Sequence, residues 1–210
     1  IIGSQAPLFE KSSIDEFYLD LTGMDRFFGC YQWSTELRNT IMRESGLPIS
    51  FGLSVNKMVA KVATGEAKPN GQRNIERGVE REFLAPMPVS KIPLIGKKTG
   101  QTLRNMGIER VRTLSEMPVE MLERLFGKMG IEMWRRANAI DESPVQPYSE
   151  AKSISQERTF QQDTIDTTFL RNVLTGMTEK LGYKLRSSDK LTACVTVKIR
   201  YSNFETVSKQ

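Results

Sequence analysis

The hydrophobic pattern of the chain changes character twice, near residue 75 and near residue 145, and no single layered domain accommodates both changes. Up to residue 75, strand-like and helix-like stretches alternate. "PLFEKSSIDEFYLDLTG" reads as strand, turn and strand, closed by Gly23. "STELRNTIMRESG" reads as a helix with Ser34 as N-cap and Leu37, Ile41 and Met42 at helical spacing. Gly46 ends it and Pro48 blocks its continuation. "PISFGLSV" has the composition of a short buried strand. "NKMVAKVATGEA" is a second helix, apolar through Val55, Val59 and Val62, with Lys57 and Lys61 on an adjoining stripe that is expected to form an outer face. "KPNG" is a turn signal. Such alternation predicts a sheet covered by helices.

From 76 to 144 only short helices and tight turns remain. "IPLIGKKTGQTLRNMGI" gives an apolar turn, Gly96, two lysines and an amphipathic helix ended by Gly107. A helix led by Pro118 ends at Gly127, and "GIEMWRRANAID" is one more. "DESPVQPYSEAKS" reads as a linker, placed at 145–151. Beyond it, "SISQERTF" is expected as a strand, "TTFLRNVLTGMTEKLGYKLRS" as an amphipathic helix, and "LTACVTVKIRYS" with "ETVSK" as a strand pair. The fold class is therefore α+β and multidomain.

Composition narrows the chemistry. The chain has no His, so Ser-His and Cys-His nucleophile pairs and His-ligated metals are excluded within it. Cys30 and Cys194 show no CxxC spacing, which argues against a zinc site and for a reducing, cytoplasmic setting. A metal held here has oxygen ligands, which favours Mg²⁺, Mn²⁺ or Ca²⁺. The net charge of +5 suits an anionic partner such as nucleic acid. No stretch approaches the ~18 apolar residues of a membrane span. The first residues, "IIGSQAPLFE", lack an initiator Met and a signal-like core, and the chain is read as an excised fragment.

The candidate residues follow from charge in constrained places. Asp15 and Glu16 are adjacent acids within a strand-like run. Such a pair is ordinarily solvated, and in regular strand its members point to opposite faces. Near a turn, where the pleat breaks, they can converge on a hard cation. Asp20 is read as structural. Lys68 stands just before the "KPNG" turn, where a compact ammonium suits a triphosphate.

Gly96, Lys97, Lys98 and Thr99 form the turn and first helical residues of a helix-hairpin-helix pattern, whose backbone N–H groups bind a nucleic-acid phosphate. An ordinary helical turn is the alternative. Leu94 occupies the position usually held by the first Gly. Leu disfavours positive φ, so an altered turn and a weaker phosphate contact are expected. Arg158, Lys198 and Arg200, placed on strands, form a basic face that either tracks a phosphate backbone or is simply solvated. Trp134 and Phe160 are read as core.

Together these pieces resemble the Y-family (translesion) DNA polymerases of the polymerase IV type. "SIDEFYLDLTG" and "GLSVNKMVAKVATGEAKPNG" are similar to that family's two palm signatures. "IPLIGKKTGQTLRNMGI" is similar to its thumb hairpin, and "KSISQERTF" to the first strand of its little finger. The resemblance implies a partial palm at 1–75, with a mixed sheet and without fingers, and an all-helical thumb with a helix-hairpin-helix at 76–144. After the linker comes a truncated β-α-β-β little finger at 152–210. It implies Asp15 and Glu16 as catalytic metal ligands for two Mg²⁺ ions, and Lys68 on the nucleotide triphosphate. Gly96, Lys97, Lys98, Thr99, Arg158, Lys198 and Arg200 would lie on the DNA backbone. The implied partners are primer-template DNA and dNTP, with a sliding clamp bound through a tail outside this chain, and no membrane. The family's third carboxylate would lie upstream of residue 1, so the fragment alone is expected not to extend a primer. Two alternatives remain: a non-enzymatic helix-hairpin-helix DNA-binding module, and another two-metal enzyme such as a nucleotidyl cyclase.

Overall fold

The computed structural model describes residues 1–26, 29–147 and 150–210. These divide into two compact units, Ile1–Tyr148 and Ser149–Gln210.

The first unit opens with one helical turn, α1 (Ile2–Gln5), where the sequence pattern suggested strand alone. Strands β1 (Leu8–Lys11) and β2 (Phe17–Asp20) then pair antiparallel, with Leu8 opposite Asp20 and Lys11 opposite Phe17. Helix α2 (Cys30–Ser45) starts four residues before the Ser34 cap expected from sequence. Ser34 lies inside the helix, where its hydroxyl donates to the Cys30 carbonyl instead of capping a free end. Gly46 closes α2 in the left-handed conformation.

Strand β3 (Phe51–Leu53), helix α3 (Lys57–Glu66) and strand β4 (Gln72–Asn74) form a β-α-β unit with β3 and β4 parallel. The polar "QRN" of β4 carries no strand pattern of its own; its pairing with Phe51–Leu53 makes it a strand. Among the described residues, β1–β2 and β3–β4 are separate pairs rather than one mixed sheet. Gly52 lets α3 lie directly on β3, because a methyl group there would overlap the Ala60 carbonyl oxygen and the Thr64 nitrogen.

Short helices follow: α4 (Glu80–Leu84), α5 (Lys97–Asn105), α6 (Val111–Glu116), α7 (Val119–Phe126) and α8 (Lys128–Ala137). One apolar core runs from α3 through all of them, built on Met58, Val59, Val62, Leu84, Ile92, Leu103, Leu114, Leu122 and Met133, with Trp134 packed against it. The helices therefore do not float free of α3; its buried stripe and theirs share a single packed interior.

In the second unit, Asp166 caps α9 (Thr167–Ser187) by accepting from the Thr168 and Phe169 N–H groups. Strands β5 (Val197–Arg200) and β6 (Thr206–Lys209) pair antiparallel. Residues 153–160 form no strand, contrary to the sequence expectation. They pair with no described strand, and a strand exists only by its ladder. Phe160 packs edge-on against Phe169 at 5.4 Å between ring centres. Among the described residues, no helix is long and apolar enough to cross a membrane.

Candidate functional site

The acid pair lies in the loop between β1 and β2, where the pleat is broken. Ser12 and Ser13 N–H groups both donate to the Glu16 carbonyl, at 2.9 and 3.2 Å. The Ser13 hydroxyl organises the rest. It donates to Asp15 Oδ1 at 2.6 Å and accepts from the N–H groups of Asp15 and Glu16 at 3.3 and 3.1 Å. This hydrogen bond holds the exposed Asp15 carboxyl below its usual range, assisted by the charges of Lys68 and Lys61. Asp20 caps its own turn by accepting from the Thr22 N–H and hydroxyl, a structural task as expected.

Helix α3 faces this loop. Asn56 caps the helix by accepting from the Val59 N–H. Lys57 and Lys61 do not form an outer face. Lys57 Nζ lies 2.6 Å from Glu10 Oε2 on β1, and Lys61 Nζ lies 2.6 Å from Glu16 Oε2. Two lysines four apart on a helix thus meet two acids six apart on a hairpin. Nothing local in either stretch reveals this, because the partners lie more than forty positions away. Lys57 also sits over the Tyr18 ring, 4.8 Å from its centre. Burial pushes the Tyr18 hydroxyl up in pKa; Lys61 opposes this, while Glu16, Glu10 and Asp141 add to it.

Lys68 is exposed on a turn that is held from both sides. Arg38 on α2 donates through Nη2 to the backbone and side-chain oxygens of Asn70, and through Nε to the Ile49 carbonyl. The Gly71 N–H donates to Ser50 Oγ at 3.1 Å. The turn brings the Lys68 charge close enough to act on Asp15. Glu16 and Lys61 meet beside Asp15, with the Lys68 charge acting on Asp15 from its turn, and sequence reasoning missed Lys61 and Arg38 among the residues that shape the site.

The predicted hairpin turn is also built. Leu94 adopts φ +81°, so the turn keeps the conformation that glycine usually supplies, and the expectation of an altered backbone is corrected. The Ile95 N–H donates to the Ile92 carbonyl, which fixes the turn, and Gly96 leads into α5 in extended conformation. The first intrahelical bond runs from Gly100 to Gly96. The N–H groups of Lys97, Lys98 and Thr99 consequently precede it, free of backbone acceptors among the described residues. A groove of about 420 Å³ joins this turn to α3, lined by Lys61, Gly65, Lys91, Pro93, Leu94 and Gly96 among others.

In the second unit, Lys198 and Arg200 lie two apart on exposed β5 and share a face. Arg158 is not on a strand; its guanidinium lies 6.0 Å from the Phe160 ring centre.

Two carboxylates beside a serine hydroxyl are hard oxygen donors. Such a donor set suits a hard divalent cation that completes its shell with other oxygens. Among the described residues, no group of three acidic, Cys or His side chains is gathered to hold a metal alone.

The sequence profile of the impB/mucB/samB family matches residues 1–65, that of its C-terminal domain residues 151–210, and that of the IMS family HHH motif residues 79–108. DNA polymerase IV of Dehalococcoides mccartyi strain BAV1 is 39% identical over the whole chain, which covers 54% of that protein. DNA polymerase IV of Clostridium kluyveri is 36% identical, again over the whole chain and 53% of the relative. The chain thus spans about half the length of the curated relatives it matches. Among solved structures, a Y-family DNA polymerase chimera of Dbh and Dpo4 superposes with a TM-score of 0.78 at 23% identity, over 99% of this chain and 60% of that one. DinB from Sulfolobus solfataricus superposes at 0.63 with 22% identity, over 99% and 61%. At that identity the likeness is one of fold.

Proposed function

The chain belongs to the impB/mucB/samB family, and from that premise we propose that it is the part of a Y-family DNA polymerase that holds metal, nucleotide triphosphate and DNA backbone. The observation that carries this reading is the meeting of Glu16 with Lys61 beside the Ser13-held Asp15 at the mouth of the β1–β2 hairpin. Acids alone would be a solvated pair; an acid pair held by a serine hydroxyl and met by a lysine from α3 is a place for a metal, with Lys68 on its turn for the polyphosphate.

In this reading Asp15 and Glu16 would be two of three carboxylates that hold two Mg²⁺ ions in the full-length protein, and those ions would supply charge to the attacking and leaving oxygens of nucleotidyl transfer. The Ser13 hydroxyl fixes the Asp15 carboxylate. Lys68 meets the triphosphate as a point charge from a braced turn. The N–H groups of Lys97, Lys98 and Thr99, with Gly96 ahead of them, receive a backbone phosphate without reading a base. Lys198, Arg200 and Arg158 add sequence-independent attraction for DNA. Residues 1–75 act as palm, 76–144 as thumb and 152–210 as little finger; the linker expected at 145–151 includes residues 148 and 149, which lie outside the described residues. Primer-template DNA and dNTP are the substrates, and copying past lesions is the activity of the whole protein, with a sliding clamp as its further partner.

The test is Mg²⁺-dependent primer extension by the full-length gene product, with Asp15→Ala and Glu16→Ala alongside. Loss of most extension in both variants, with folding intact, is the expected result. Normal extension by the variants, or none by the parent, would leave a DNA-binding module without polymerase chemistry.

A further inference from the structure

Lys61 occupies one of the two carboxylate oxygens of Glu16. Its Nζ lies 2.6 Å from Glu16 Oε2, with 40% of the lysine side chain and 44% of the glutamate side chain exposed. The contact is not that of a loose surface arm. Asn56 caps α3, Gly52 seats the helix on β3, and Lys57, one turn earlier, holds Glu10 of the same hairpin at 2.6 Å. The two acids of the pair are therefore unequal. Asp15 is engaged by a neutral hydroxyl, whereas Glu16 already carries a cation.

We propose that Lys61 is a resident counter-cation of the metal site: it holds Glu16 in place in the metal-free protein and raises the metal concentration at which the acid pair loads. The proposal rests on reading Asp15 and Glu16 as metal ligands. An ammonium and a divalent ion repel one another, and Mg²⁺ requires its ligand oxygen at about 2.0–2.1 Å. A cation taken up by Glu16 therefore either displaces the ammonium from Oε2 or binds at Oε1 against its charge, and the four-carbon stem of lysine allows the ammonium to swing away. An ion pair this exposed is weak. Lys61 accordingly tunes metal affinity rather than blocking it. Lys57 differs in that its acid, Glu10, also accepts the Gln146 N–H and belongs to the scaffold.

The experiment titrates the full-length gene product with Mn²⁺, an oxygen-seeking ion whose free fraction is read by electron paramagnetic resonance. Variants are Lys61→Met, Lys57→Met, Asp15→Asn and Glu16→Gln, each checked for folding by circular dichroism. Lys61→Met keeps the stem and removes the charge; if it fails to fold, Lys61→Gln takes its place. The expected result is loss of binding in Asp15→Asn and Glu16→Gln, and binding about fivefold tighter in Lys61→Met, equivalent to about 1 kcal/mol. Lys57→Met should stay near the parent. If the acid variants lose Mn²⁺ while Lys61→Met binds equally or more weakly, the counter-cation assignment is overturned and the metal site stands. If the acid variants bind like the parent, the metal reading fails and the proposal fails with it.

Discussion

Arg38 Nη2 reaches Asn70 twice, meeting its backbone and its side-chain oxygen at 2.7 Å each, across 32 positions of sequence. With Nε on the Ile49 carbonyl at 2.8 Å, one guanidinium ties α2 to the loop before β3 and to the turn that carries Lys68. Arg38→Met should destabilise the chain by roughly 1–3 kcal/mol, the scale for charged hydrogen-bond donors leaving their acceptors. Arg38→Lys should recover little, because a point ammonium cannot span three acceptors held by a planar fork. Urea unfolding of the three proteins measures this, and a lysine variant as stable as the parent would show that charge alone suffices.

Leu94 holds its backbone in the left-handed region at φ +81° and is half-exposed. For an L-residue with a Cβ that region costs about 1–2 kcal/mol, and glycine is spared the cost. Elsewhere Ala is the more stabilising of the two by roughly 0.5–1 kcal/mol. Here the order should invert, with Leu94→Gly more stable than Leu94→Ala. Comparing these two cancels the loss of the leucyl side chain, so thermal melts of the pair report the backbone. An Ala variant at or above the Gly variant would mean that the turn relaxes once Leu is gone.

The elements that carry the site differ in how legible they were. The β1–β2 hairpin, α3, α5 and α9 announce themselves, because each buries or shields an apolar stripe of fixed period. Lys61 on Glu16 does not, since a pairing across 45 positions depends on where a helix lands and not on its own pattern. The same limit hid β4, whose polar "QRN" becomes a strand only beside Phe51–Leu53. It also misled at residues 153–160, where alternation suggested a strand but no ladder forms. At Leu94 local preference pointed one way and the packed surroundings, with Ile92 and Ile95 buried on either side, imposed the other.

Gly52 is the contact on which the placement of α3 depends. A methyl group there meets the Ala60 carbonyl oxygen and the Thr64 nitrogen, both backbone atoms that cannot rotate away. Gly52→Ala should cost about 1–3 kcal/mol as overpacking. It should also push Lys57 and Lys61 off the hairpin acids. Chemical denaturation checks the first effect; a variant as stable as the parent would show that α3 can lift without loss.

Asp141 gives the acid limb of stability a defined contributor. Burial pushes its carboxyl up. Hydrogen bonds from the Ser143 hydroxyl and N–H and from the Met58 N–H, with the charge of Arg136, outweigh burial and hold it below the ordinary 3.8. The unfolded carboxyl then takes a proton more readily than the native one. Its stabilisation is complete above 3.8 and is lost as pH falls through the lower, folded value. Asp141→Asn should lower stability at neutral pH and flatten the acid limb. Melting temperature against pH for both proteins is the measurement, and parallel acid limbs would remove Asp141 from the account.

The hairpin turn makes a prediction about DNA that is independent of catalysis. Lys97 and Lys98 are exposed at the start of α5, beside N–H groups that precede its first intrahelical bond. If a backbone phosphate docks there, the contact is electrostatic and reads no sequence. Binding of the 210-residue chain to duplex DNA should then weaken steeply with salt, the slope reflecting the number of phosphates neutralised. Lys97→Ala and Lys98→Ala should each lower affinity by a similar factor on unrelated sequences and reduce the salt slope by roughly one unit when the lysine neutralises a phosphate. Fluorescence anisotropy across a salt series gives both quantities at once. A weaker affinity with the slope unchanged would place the lysines near DNA without counterion release, and an unchanged affinity would move the phosphate contact elsewhere, with Lys198 and Arg200 on β5 the next residues to replace.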